Sequence, residues 1–216
     1  MSNGERRLVY VLLIGIIALS ALLIFKIKSK PKYNQELYEQ VYSEYKNMLK
    51  SIDENKEVII KNESDKVKAD TIYINVNSKG QEYRVAGEIS IPKIKINYPI
   101  IYETSEEYLK IAPTKLFGPE VNEIGNLCIV GHNYKNNEFF SRLSELEIDD
   151  RVYLTSNNGK KLTYLVYDKY EIYETDLECT NQYTNGNIEI TLITCTSKKK
   201  KRLIVKCRAV NYNNSY

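Results

Sequence analysis

The sequence predicts a mostly β domain, a closed barrel or sandwich with a few short helices, preceded by an N-terminal transmembrane helix. Three observations predict it. Short β-patterned runs lie at 85–91, 96–101, 126–131, 151–155, 162–168, 188–195 and 202–210. Turn signals separate them, among them Ile91-Pro92, Asn97-Tyr98-Pro99, Asn157-Asn158-Gly159 and Asn185-Gly186-Asn187. Ahead of them all, Leu8 to Phe25 is apolar except at Tyr10, Gly15 and Ser20.

Residues 1–7 form a short tail and 8–25 the anchor. As a helix the anchor spans about 27 Å, close to the roughly 30 Å hydrocarbon core, and Arg6, Arg7 and Lys26 can snorkel to cover the difference. A cleaved signal peptide has a shorter apolar run and a small-residue cleavage site; the flank here is KIKSKPK, which suits an uncleaved anchor. Juxtamembrane charge, with Lys26, Lys28, Lys30 and Lys32 after the span, leans against an outward-facing domain.

Residues 26–80 are read as a juxtamembrane helix and stalk. Leu37, Val41, Tyr45, Met48 and Ile52 recur at helical steps, so 33–60 is expected to be a spacer helix lying on the domain or the membrane. Residues 61–80 are polar with one short apolar patch and read as a stalk. The remaining stretch, 81–216, is the predicted β domain, with a short helix at 105–111 and a further turn of helix at 138–146.

Charge excludes one class of partner. From residue 81 onward there are 18 basic and 18 acidic side chains, so the domain is neutral and lacks a nucleic-acid footprint. The four cysteines, Cys128, Cys179, Cys195 and Cys207, form no CxxC pair, and the chain has one histidine. Neither a metal site nor a disulfide framework is expected, and no cofactor is implied.

The segment from Ile188 to Ala209 carries the most information. If its two β runs form an antiparallel hairpin in which Cys195 faces Arg202, opposed residue numbers sum to a constant and share a face. One face then carries Ile190/Cys207, Leu192/Val205 and Thr194/Leu203, an apolar set fit for a core. The other carries Cys195/Arg202, Ile193/Ile204, Thr191/Lys206 and a Glu189/Arg208 ion pair. A slip of one residue mixes the two sets. Cys207 falls on the core face, and Cys128 sits in the apolar run NLCIVGH as a core thiol. Cys179 lies in a polar loop and is expected to be exposed. Arg208 has a structural partner, whereas Arg202 has no acidic residue across the strand.

A cysteine at a strand end is most often structural. Cys195, however, is flanked by Thr194 and Thr196 and precedes Lys198 to Lys201, and positive charge beside a thiol favours its reactive form. If an imidazole assists it, that imidazole is His132, which follows Val130 and Gly131 at another strand end. Strand ends converge at the mouth of a small barrel, where the two can meet. The lysine run reads first as a solvated turn and second as an anion-attracting rim.

TLITC at 191–195, an arginine seven residues later, and Gly-His at 131–132 resemble the sortases, the cysteine transpeptidases of Gram-positive bacteria. The resemblance covers about residues 81–212, including GEISIPKIKINYPI at 87–100 and GHNYKNNEFFSRLSEL at 131–146. The short Cys-to-Arg loop and compact 168–188 segment look most like class D or E. The resemblance implies a closed eight-stranded β-barrel. It implies that Cys195 attacks the carbonyl after threonine in an LPxTG-like sorting signal, with His132 carrying the proton and Arg202 positioning substrate or stabilising the oxyanion. Thr194 is expected to help bind substrate. Implied partners are surface proteins bearing a C-terminal sorting signal and an amine from a peptidoglycan precursor or pilin. The implied location is the cell membrane, single-pass, with the domain outside. A hydrolase with the same triad and a noncatalytic surface-binding barrel are the competing readings. The CGSCW-like context of papain-type proteases is missing.

Overall fold

A computed structural model of the chain describes residues 12, 15–17, 19–20, 34–52, 74–78, 80–134, 138–197 and 200–210. The described residues include an α-helix, α1 (34–52), further helical residues at 12, 15–17 and 19–20, and nine strands. The strands are β1 (Ile74–Ser78), β2 (Gln81–Ile91), β3 (Ile96–Ile101), β4 (Thr114–Phe117), β5 (Gly125–Val130), β6 (Arg151–Ser156), β7 (Lys161–Tyr173), β8 (Ile188–Cys195) and β9 (Lys201–Val210).

Hydrogen-bonded neighbours run β1-β2-β3-β4-β5-β8-β9-β7-β6, and β6 pairs back onto β2. That last pairing closes β2 to β9 into an eight-stranded barrel, as expected, and leaves β1 as a ninth strand outside the ring. Closure removes the exposed edges that an open sheet of this size would present. The barrel interior is a single apolar cluster that includes Ile89, Ile91, Leu127, Ile129, Leu154, Tyr164, Leu192 and Val205.

β2 serves two layers because of one irregularity. Its pairing to β3 shifts register between Val85 and Gly87. The extra residue reverses the side-chain alternation. Tyr83 and Val85 therefore join an outer cluster, while Ile89 and Ile91 fill the barrel. The outer cluster is completed by α1, whose Leu37, Val41 and Tyr45 are buried against Ile74, Val76, Val85 and Ile101. Polar contacts reinforce the docking. Lys46 pairs with Glu88, Asn97 Nδ2 donates to Tyr42 Oη at 2.6 Å, and Tyr45 Oη donates to Asn157 Oδ1 at 3.0 Å. The periodic helix thus lies on the domain.

Several expectations are corrected. The expected stalk ends in β1, whose INVNS alternates buried and exposed and pairs with β2 from Ile74/Val85 to Ser78/Gln81. The remainder of 61–80 up to residue 73 lies outside the described residues, as does 53–60 of the expected spacer helix. β4 went unread because it has only four residues, two of them exposed. β7 runs five residues past the expected end at 168 because a bulge between Val166 and Asp168 breaks its alternation. The helix expected at 105–111 is a single 3-10 turn, Tyr108–Lys110, while the turn of helix expected within 138–146 is present as the 3-10 turn Leu143–Glu145. The anchor at 8–25 lies largely outside the described residues. Among the described residues no helix is long and apolar enough to cross a membrane.

Candidate active site

β5 and β8 are neighbours and parallel, and both are buried on both faces, which is why they read as near-continuous apolar runs. Their register is constant, from Gly125 opposite Ile188 to Val130 opposite Ile193. Two residues further on, that register sets His132 beside Cys195. Adjacent strands lie about 4.8 Å apart, so the two residues leave the barrel as neighbours at the same mouth.

Three hydrogen bonds continue the pairing past the strand ends. Gly131 N donates to Ile193 O at 3.1 Å, Thr194 Oγ1 donates to Gly131 O at 2.8 Å, and Asn133 Nδ2 donates to Cys195 O at 2.6 Å. The His132-bearing turn is locked from its other side too. Phe140 N donates to His132 O at 3.0 Å, and Asn133 bridges Phe139. Gly131 is required for this packing, since a Cβ there would sit 2.8 Å from the buried Phe140 ring.

β9 brings the third side chain. The hairpin adopts the predicted register throughout, from Glu189/Arg208 to Cys195/Arg202. Directly opposed residues share a face, so the Arg202 guanidinium stands over the same side as the Cys195 thiol. Arg202 does have an acidic neighbour, but from the other strand. Ile172 of β7 faces Arg202, and Glu174 just beyond accepts from Arg202 Nη2 at 3.3 Å. Both side chains are more than 30% exposed, so this pair is weak and water-accessible. At the far end of the hairpin Arg208 binds the buried Glu189 at 2.9 Å, as expected.

The four cysteines divide sharply. All are free thiols, and Cys195 alone is exposed. Cys207 lies in the barrel core, where burial pushes its thiol well above the ordinary range. Cys128 is pushed up to about 12 by burial, with the nearby Cys179 adding to it. Cys179, expected to be exposed, is 4% exposed because the 3-10 turn Glu178–Thr180 folds it onto Cys128, Ile193 and Ile204. Buried Asn126 holds that turn by donating to Cys179 O at 2.9 Å and Asn181 O at 3.0 Å.

His132 is half-buried and its imidazole is shifted below its ordinary value. Desolvation is the main cause, the Lys110 charge adds to it, and Glu106 opposes it. The neutral ring is thus favoured, a base able to take a proton near neutral pH. Its face stacks on Tyr134, with ring centroids 4.7 Å apart. Thr194, expected to touch substrate, is instead 1% exposed; its hydroxyl is used to fasten β8 to the Gly131 peptide. The lysine run is split: Lys201 leans on Glu171 and the Tyr173 ring, and Lys198 and Lys199 lie outside the described residues. Asn133, Tyr134 and Glu174 support the site but were not picked out from sequence. Only the adjacency of Asn133 and Tyr134 to the sole histidine hinted at them. Among the described residues no cluster of His, Cys, Asp and Glu is arranged to hold a metal ion.

Fold and site together define a closed β-barrel with a thiol, an imidazole and a guanidinium gathered at one mouth. The Sortase domain model matches residues 89–210, more than half of the chain. The chain belongs to the sortase family. It is 30% identical over 138 residues to Sortase A of Bacillus anthracis, covering 60% of this chain and 61% of that protein, so it spans less than two thirds of that relative's length. Among solved structures it is similar to a lid mutant of sortase A from Corynebacterium diphtheriae, at 27% identity and a TM-score of 0.56, covering 62% of this chain and 74% of that one. It is also similar to sortase C-1 from Actinomyces oris, at 27% identity and a TM-score of 0.54, covering 59% of this chain and 73% of that one.

Proposed function

We propose that the chain is a cysteine transpeptidase that cleaves an LPxTG-like sorting signal and transfers the released acyl group to an amine. The observation that carries this reading is the convergence of the exposed Cys195, His132 and Arg202 at the ends of three successive strands of the barrel.

In this reading Cys195 Sγ attacks the carbonyl after threonine while His132 takes the thiol proton. The negative charge of the tetrahedral intermediate falls on the carbonyl oxygen, opposite the Arg202 guanidinium, which is loosely enough held by Glu174 to turn toward it. Collapse breaks the C–N bond, and His132 passes its proton to the leaving amine. The thioester on Cys195 is then attacked by an incoming amine. His132 accepts that amine's proton and returns it to the departing thiolate, so the proton count closes over one cycle.

Membership of the sortase family supports the reaction class. The acceptor is a peptidoglycan-precursor or pilin amine, and the donor is a surface protein with a C-terminal sorting signal. The apolar run from Leu8 to Phe25 supports a single-pass membrane anchor with the barrel outside the cell. The compact link between β7 and β8, with one 3-10 turn, supports a class D or E assignment. Incubation with an LPxTG-type peptide and excess amine, read by mass spectrometry, is expected to give the ligated product. Hydrolysis alone under saturating amine would replace the transferase reading with a hydrolase; no cleavage at all, with the peptide still bound, would leave a binding barrel.

A further inference from the structure

The imidazole of His132 makes no hydrogen bond among the described residues, and one aromatic ring stacks on its face. His132 stacks on Tyr134 at 4.7 Å. Tyr134 meets Phe139 edge-on at 5.5 Å, and Phe139 lies against Tyr98 at 5.2 Å. Tyr98 meets Tyr38 edge-on at 5.1 Å, and Tyr38 stacks on Tyr42 at 5.7 Å. The last two rings belong to α1, which lies outside the 89–210 span matched by the family model. An unbroken file of aromatic rings therefore runs from the N-terminal helix to the only histidine in the chain.

The file is tied down at each step. Tyr98 Oη accepts from Phe139 N at 3.3 Å, and Phe139 itself sits in the left-handed region at φ 50°. A non-glycine residue stays in that conformation only where its surroundings fix it, and here Tyr98 contacts both its ring and its amide. Tyr38 Oη donates to Asn97 O at 3.1 Å, so the helix grips the strand segment that presents Tyr98. Asn34, Gln35 and Tyr38 close one side of a cavity of about 60 Å³ whose other walls are Tyr98, Lys110, Glu138 and Phe139. Offset and edge-to-face ring pairs are favoured beyond area burial, which biases one ring orientation over another.

We infer that Tyr38 of α1 is a positioning residue for His132, acting through Tyr98, Phe139 and Tyr134. The helix is then a working part of the site and not only a spacer. This inference rests on the proposed role of His132 as proton carrier, because only then does the orientation of that ring set the rate.

The single histidine makes the test clean, since every imidazole NMR signal from this chain belongs to His132. Groups that face it electrostatically are Lys110, Glu106 and the Tyr134 phenol, and none is altered by the variants. Tyr38→Ala is expected to shift and broaden the His132 ring signals, raise the pH of their midpoint, and lower kcat about fivefold while KM for the peptide changes less than twofold. Tyr38→Phe keeps the ring and is expected to restore both readouts. Val41→Ala, on the same buried helix face but outside the file, controls for loosened docking; it should lower Tm and leave the His132 signals in place. Unmoved His132 signals in Tyr38→Ala, or equal movement in Val41→Ala, would overturn the inference and leave the transpeptidase reading standing. Failure of that reading itself would appear separately, as a fully active His132→Ala in the same assay.

Discussion

The two ends of the β8–β9 hairpin carry the same kind of residue in opposite circumstances. At one end Arg208 binds Glu189, which is buried, at 2.9 Å, and its guanidinium lies over the Tyr167 ring. Tyr167 Oη donates to the second Glu189 oxygen at 2.8 Å, so the carboxylate is satisfied on both sides. At the other end Arg202 faces an exposed thiol and has one long contact to a solvated glutamate. The first arginine has its counter-charge built in. The second retains capacity for a charge that arrives from outside. Position in an antiparallel ladder alone does not separate them; what differs is whether the neighbouring strand closes over the pair.

The comparison breaks most decisively at the cysteines. Cys195→Ala is expected to abolish peptide cleavage, by at least about 10³-fold, with the fold intact, because loss of the nucleophile removes the covalent route. Cys207→Ala, on the core face of the same hairpin, should leave cleavage per folded molecule unchanged and lower stability by about 1–2 kcal/mol. A methanethiosulfonate reagent should add once to the native protein, at Cys195, since the other three thiols are buried. Full activity in Cys195→Ala would remove the central claim.

The arginines come next. Arg202→Ala is expected to lower kcat/KM roughly 10²–10³-fold, the loss typical of one oxyanion donor, with little change in Tm. Arg208→Ala should do the reverse. It leaves the Glu189 carboxylate buried beside a single phenol donor, costing about 1–3 kcal/mol, while activity stays within about twofold. Denaturant melts and steady-state kinetics on both variants separate the outcomes. Equal kinetic losses would show that the two ends are not functionally distinct.

The hairpin was legible in the sequence because a one-residue slip would have mixed Ile190, Leu192 and Val205 with Thr191 and Lys206, and only one register keeps them apart. His132 and Cys195 were legible as strand-end residues, the former by being the only histidine. Glu174 was hidden because it reaches Arg202 from just past the end of β7, a strand whose bulge at Val166/Asp168 had cut short the visible alternation. Cys179 looked exposed since its neighbours are polar, yet the backbone carbonyls of Cys179 and Asn181 accept from buried Asn126, and the turn they hold buries the thiol. β1 was unreadable because INVNS is half-polar and its buried face is covered by α1, more than twenty residues away in the chain. Each miss is a tertiary contact that local pattern does not carry.

The smallest expected effect concerns pH, and it separates the site end from the rest of the barrel. Burial and the Lys110 charge hold His132 below its ordinary value of 6.5, against the opposing Glu106. Between those two values the unfolded chain binds more protons than the folded one, so stability rises with pH through that window. The contribution is complete above about pH 6.5 and is lost as the pH falls to the depressed value. Because the ring is only half-buried, solvent screening keeps the difference small. The measurement is the Tm difference between the protein and His132→Gln from pH 7.5 to 5. Carboxylate titrations are common to both and cancel, and with one histidine in the chain the remainder belongs to His132. The unsubstituted protein should lose more Tm on acidification than the variant. Parallel curves would mean that the imidazole is as well solvated folded as unfolded, and that the mouth of the barrel, unlike its Glu189 end, excludes no water from its charged groups.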